Sequence, residues 1–173
     1  MPSSKSDISN HTIRIFLQKV GRFYDEIRGL TPFSKSKGNK ISLLESFNYQ
    51  CCFCNIQINE NSISLDHLIA INKEDLGLNA WGNIVPACSD CNKSKHNKNW
   101  NDHIMSLPNL TYEEKQTNID RLSNYCNTMN YNPNLELNDI ANNLYEDVGA
   151  VAQALIELRF RQAEEKINRI MLE

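Results

Sequence analysis

Apolar residues near the start of the chain recur at helical spacing. Ile13, Phe16, Leu17, Val20, Phe23, Tyr24 and Ile27 fall on one stripe, which predicts an amphipathic helix over about 10–29. Residues 31–40 read TPFSKSKGNK and predict a flexible basic loop. Residues 41–47 fit a short helix ending near Asn48. The helical period is then lost. SISLD at 62–66 alternates like a short strand, 72–82 reads as a loop, and 83–87 leads as a second strand into a helix starting near Ser89. Residues 100–107 predict a short helix stopped by Pro108. Thr111 and Glu114 have the spacing of a capping box, which opens a helix over about 112–128. Residues 130–134, with Pro133, predict a break, and 138–171 is helical again. There Leu144, Val148, Val151, Leu155 and Leu158 alternate by four and three, as on a coiled-coil seam, beside a second stripe of Ile156, Phe160, Ala163, Ile167 and Ile170. Gly149 marks a place for a bend or a division. The pattern predicts an α+β, mostly helical chain in three parts: a helix and basic loop at 1–40, a strand-containing core at 41–108, and a helical region at 109–173.

At 173 residues, with 40% hydrophobic and 23% charged side chains, the chain can bury a core and does not need disulfides merely to fold. Its net charge of −3 excludes a protein that coats nucleic acid by charge alone, but not a local basic groove. The charge is uneven: residues 1–110 carry 12 basic and 10 acidic side chains, and residues 111–173 carry 6 and 11. A polyanion therefore meets the first two thirds, and the acidic remainder reads as support, a homodimer interface or a partner-protein interface. No run of 18 apolar residues predicts a membrane span. The opening MPSSKSDISN lacks the apolar core of a signal peptide, so the expected location is cytoplasmic. In that reducing compartment, closely spaced cysteines read as metal ligands before disulfides.

Two such pairs exist, Cys51-x-x-Cys54 and Cys88-x-x-Cys91, with 33 residues between them. Two residues between thiolates let a tight turn aim both sulfurs at one point, and two such turns complete a tetrahedral zinc site. Four buried, unligated cysteines and a redox switch are the competing readings. Cys52 reads as a non-ligand beside the first pair, and Cys126 as a core residue on a helical stripe. A closed four-sulfur zinc has no open coordination position, so it is structural and fits a non-catalytic nucleic-acid- or protein-binding module as well as an enzyme.

Residues 51–95 resemble the HNH nuclease family. Asp66-His67 stands where that family ends its first strand, Asn83 stands at its middle Asn before a short apolar run, and Asn92 follows the last cysteine as in zinc-stapled members. The cysteine pairs flank these residues in the family's order. The resemblance covers about 45 of 173 residues. Two departures concern loop geometry: Leu68-Ile69-Ala70 stands where many members have Pro, and the Gly-rich stretch is reduced to Gly77 and Gly82. The resemblance implies a ββα-metal core around one divalent ion and metal-dependent DNA cleavage of a restriction or defence type. A neutral imidazole near pH 7 can take a proton from water, which makes His67 the expected general base. Mg²⁺ or Mn²⁺ prefers oxygen ligands, which makes the Asp66 carboxylate and the Asn92 amide its expected holders. By the same resemblance, Asn83 braces the loop and orients His67.

Lys35 and Lys37 of the basic loop, with Lys93, Lys95 and Lys98, are candidates for DNA backbone contacts and read equally as solvated charges. Helix phase decides between Lys93 and Lys95. His11, His96 and His103 read as surface positions, and Trp81 and Trp100 as packing residues rather than base-stacking ones.

Overall fold

The computed structural model describes residues 5–132 and 136–172, with side chains at 6–132 and 136–164. Pro133 and Asn134 of the expected break, and the side chains of Ile167 and Ile170, lie outside them. The chain order is α1 (Lys5–Ile27), α2 (Lys37–Ser46), β1 (Ser64–His67), β2 (Ile84–Ala87), α3 (Ser89–Lys95), α4 (Trp100–Ser106), α5 (Tyr112–Thr128) and α6 (Asn138–Leu172). This is the mostly helical α+β architecture that the pattern predicts, with one two-stranded antiparallel sheet followed directly by α3. No helix among the described residues is long and apolar enough to cross a membrane.

Local chemistry explains the boundaries. The Thr111 side chain accepts from the Glu114 amide, and the Glu114 carboxylate accepts from the Thr111 amide at 2.8 Å, which closes the expected capping box of α5. α2 starts four residues before the expected position, because Ser36 Oγ caps the Asn39 amide at 3.3 Å. Lys37 and Lys40 therefore belong to a helix, not to the basic loop. α6 runs unbroken through Gly149.

The sheet pairs Ser64 with Ala87, Asp66 with Val85 and His67 with Ile84. A core of Phe33, Leu44, Phe47, Phe53, Ile84 and Leu122 wraps the sheet and the cysteines. Each such side chain contributes about 1.5–3 kcal/mol by leaving water. A second cluster joins Ile13, Leu17 and Tyr24 of α1 to Leu78 and Ala80 of the β1–β2 loop, and to Tyr131 and Ala141. It clamps that loop between α1 and the start of α6. Gly21 lets α1 come this close, since a Cβ there would lie 2.6 Å from the Asn79 carbonyl oxygen. Buried Asp25 secures the other end of α1. It accepts from the amides of Phe33 (2.9 Å) and Trp81 (3.2 Å) and pairs with Arg28, which donates to the Trp81 and Met129 carbonyls. Trp81 Nε1 donates to Thr31 O at 2.9 Å, and its ring meets Phe33 edge-on, so this tryptophan anchors a loop.

The first turns of α6 pack on α1, with Ser9 Oγ donating to Tyr145 O at 2.8 Å. The predicted seam is thus intramolecular at Leu144. Further along, Val151, Leu155, Ile156, Leu158 and Phe160 are exposed.

Candidate active site

The two cysteine pairs converge. The sulfurs of Cys51, Cys54, Cys88 and Cys91 all lie within 4.8 Å of one another. Cys54 Sγ is 3.8 Å from Cys88 Sγ, which matches the edge of about 3.8 Å that metal–sulfur bonds of about 2.3 Å give a tetrahedron. The first pair sits on a tight turn, where Asn55 adopts φ 63° and the Cys51 amide donates to Ile56 O at 2.8 Å. The second pair sits at the β2–α3 corner, where Cys88 caps α3. Hydrogen bonds from Cys52, then Cys54 and Cys91, favour the Cys51 thiolate. The neighbouring Cys51 in turn pushes Cys54 up to about 12 and raises Cys91. A divalent metal bound by these sulfurs would supply positive charge that favours their thiolate forms. Cys52 is buried outside this set, and Cys126 packs beside the core with its thiol on Gly82 O at 3.3 Å.

The same corner holds a cleft of about 230 Å³, lined by Asp66, His67, Asn92, Arg14, His96 and Asn97 among others. β1 delivers Asp66 and His67 at its end, and α3 delivers Asn92 one residue after the cysteine cluster. Asp66 is buried, and its Oδ1 accepts from the His67 amide at 2.8 Å. Its Oδ2 makes no hydrogen bond among the described residues and lies 3.4 Å from Lys95 Nζ. Burial raises the Asp66 carboxyl above its ordinary range even though Lys95 opposes the rise. Asn92 Nδ2 donates to Ser64 Oγ, which leaves Oδ1 as the end of the amide able to take a cation.

His67 Nε2 lies 3.2 Å from Asn79 Oδ1. An oxygen at that position fixes the ring proton on Nε2 and leaves Nδ1 as a lone pair. Burial pushes His67 down to about 4 against the opposing Asn79 contact, and the charges of Lys95, Lys35 and Arg14 push the same way. The ring is neutral at pH 7.

Asn83 is fully buried. Its side chain accepts from the Ile69 amide (2.8 Å) and donates to Ile69 O (3.0 Å) and Leu78 O (2.8 Å), so it clamps both ends of the loop. The ring contact itself is made by Asn79, the residue after Leu78, whose carbonyl Asn83 holds.

Residues 50–98 match the family model described as HNH endonuclease. This segment is an HNH domain. No curated protein matches the chain. The domain carries the cysteine cluster together with Asp66, His67, Asn83 and Asn92, whereas α1, α5 and α6 lie outside it.

Within the HNH domain, helix phase separates the lysines. Lys93 and Lys98 are exposed. Lys95 is 0% exposed, with Nζ donating to His67 O at 2.7 Å and lying 3.4 Å from Asp66 Oδ2. The expectation of a Lys95 phosphate contact is corrected accordingly, since its charge is spent inside the protein. Lys37 is exposed and pairs with Glu60 at 3.2 Å, while Lys35 is exposed near enough to act on His67. The imidazole of His103 is buried against Phe53, not on the surface, and His96 is exposed at the cleft. His11 is exposed, and Trp100 packs partly buried against the core. Asn79 and Arg14 carried no signal in the sequence: one lies in an irregular loop, the other on the polar side of a helix.

Proposed function

We propose that the chain is a metal-dependent DNA endonuclease in which His67 is the general base. One observation carries this reading: Asp66, His67 and Asn92 line a single cleft beside the four-cysteine cluster. An HNH domain points to nuclease or nucleic-acid-binding function, and the cleft supports the hydrolytic choice. His67 is neutral and held on Nε2 by Asn79, so Nδ1 removes the proton of an attacking water as the oxygen approaches phosphorus. Asp66 and Asn92 would hold Mg²⁺ or Mn²⁺. The Asp66 Oδ2, which makes no hydrogen bond among the described residues and lies 3.4 Å from Lys95 Nζ, and the Oδ1 of Asn92 fit such an ion. When bound, that ion supplies positive charge for the phosphate oxygens. A zinc ion in the cysteine cluster would fix α3 against the sheet and keep Asn92 opposite Asp66.

These residues read no base sequence, so target choice falls to the flanks or to a partner. The net charge of −3 keeps unassisted DNA binding weak, and Lys35, Lys93 and Lys98 are the exposed cations offered to the backbone. The exposed stripe of α6 suits a second copy or a targeting protein, as in a restriction-type or defence-system nuclease working in the cytoplasm.

The test is supercoiled plasmid. Zinc-loaded full-length protein nicks it with Mg²⁺ or Mn²⁺ and leaves it intact when divalent ions are omitted. Intact plasmid under both metals, with bound DNA in a gel shift, would favour the non-catalytic zinc-stapled module instead.

A further inference from the structure

Arg14 stands outside the HNH segment at 50–98, yet lines the same cleft as Asp66, His67 and Asn92. Helix phase puts it there. Gly21, two turns later on the same side of α1, touches the Asn79 backbone. Asn79 also holds the His67 ring, so the contact that docks α1 fixes Arg14 relative to the proposed base. Ile13 and Leu17 are fully buried and leave α1 no freedom to turn.

The guanidinium of Arg14 makes no hydrogen bond or ion pair among the described residues. Arg28 and Arg121 differ, since both are spent on backbone carbonyls of the core. The cleft's one carboxylate, Asp66, is already engaged by the His67 amide and the Lys95 charge. Arg14 therefore presents unused donors to a cleft whose one lining carboxylate lies against Lys95. A planar fork of donors matches two oxygens of one phosphate group.

We propose that Arg14 clamps the scissile phosphodiester in the cleft, so that α1 completes the active site of the HNH domain. This rests on the endonuclease reading. The clamp orients phosphorus toward the water on His67 and offsets charge that grows on the phosphate oxygens. The HNH segment alone is then an incomplete enzyme.

The test separates this claim from the reading it rests on. In full-length His67→Ala protein without divalent ions, binding of a labelled 20-base-pair duplex is followed by fluorescence anisotropy over a range of salt. Arg14→Ala is expected to weaken binding about tenfold and to lower the slope of log affinity against log salt by about 1. Arg14→Lys keeps the slope. Lys19→Ala, on the same helix outside the cleft, changes affinity less than twofold. With His67 present and Mg²⁺ added, Arg14→Ala cuts about 10²-fold more slowly, and Arg14→Lys recovers only part of that. Affinity and slope unchanged by Arg14→Ala, or an equal loss from Lys19→Ala, would overturn the clamp. A wild type that binds but never cuts would overturn the endonuclease reading alone, while the binding series still decides the phosphate contact.

Discussion

Replacing His67 by alanine is expected to slow DNA cleavage about 10³-fold while leaving zinc content and melting temperature unchanged. The separation follows from where the residue's contacts lie. Its amide is held by Asp66 Oδ1 at 2.8 Å and its carbonyl by Lys95 Nζ at 2.7 Å, and both survive truncation of the side chain. Among the described residues the ring makes one hydrogen bond, with Asn79. Single-turnover plasmid cleavage with Mg²⁺ measures the loss. The same assay tests the protonation state. The working form is neutral imidazole, and burial holds its acid form down to about 4. The wild-type rate should therefore show no histidine inflection near the ordinary value of about 6.5, and should fall only as pH drops toward 4. Equal cutting by wild type and His67→Ala, or an inflection at 6.5 that is absent from the mutant, contradicts this part of the account.

Cys54→Ser or Cys88→Ser is expected to lose the zinc and unfold the core around the sheet. Residues 47–63, which carry the first pair, contain no helix or strand of their own, and Cys51, Cys52 and Cys91 are part of the main core. A structural four-cysteine zinc contributes about 10–16 kcal/mol of apparent binding, comparable to the whole stability of a domain of about 5–15 kcal/mol. Colorimetric zinc release and thermal melting measure the outcome. Cys126→Ser is the comparison, since its thiol packs beside the core and outside the cluster, and it should keep its zinc. Unchanged zinc and melting in the Cys54 and Cys88 variants would show that the metal assignment is wrong.

What could be read from the sequence was what local spacing encodes. The α1 stripe, the Thr111–Glu114 box, the two C-x-x-C turns and the Asp66-His67 pair each depend on residues within a few positions of one another. Lys95 marks the boundary of that reach. It lies one turn after Cys91, so once the cluster turns Cys91 inward the same face must take Lys95 inward too, yet a lysine alone reads as exposed. Asn79 could not be read at all. It meets His67 across twelve positions, through a loop whose path is set by Gly77 against the Ile69 carbonyl and by α1 against Asn79. Arg14 is further still, brought to the cleft by burial of Ile13 and Leu17 and by the absence of a side chain at Gly21. The inward turn of His103 likewise depends on Phe53, fifty positions away. These are tertiary consequences of one loop being gripped between helices, and no periodicity along the chain encodes them.

The decisive measurement is anomalous diffraction from crystals of the full-length, zinc-loaded chain soaked in Mn²⁺. One manganese peak in the cleft, against the Asp66 carboxylate and the Asn92 amide oxygen with His67 facing it, is the predicted result. Saturating Mn²⁺ that leaves this cleft without a peak, or binds only elsewhere on the chain, would contradict the account.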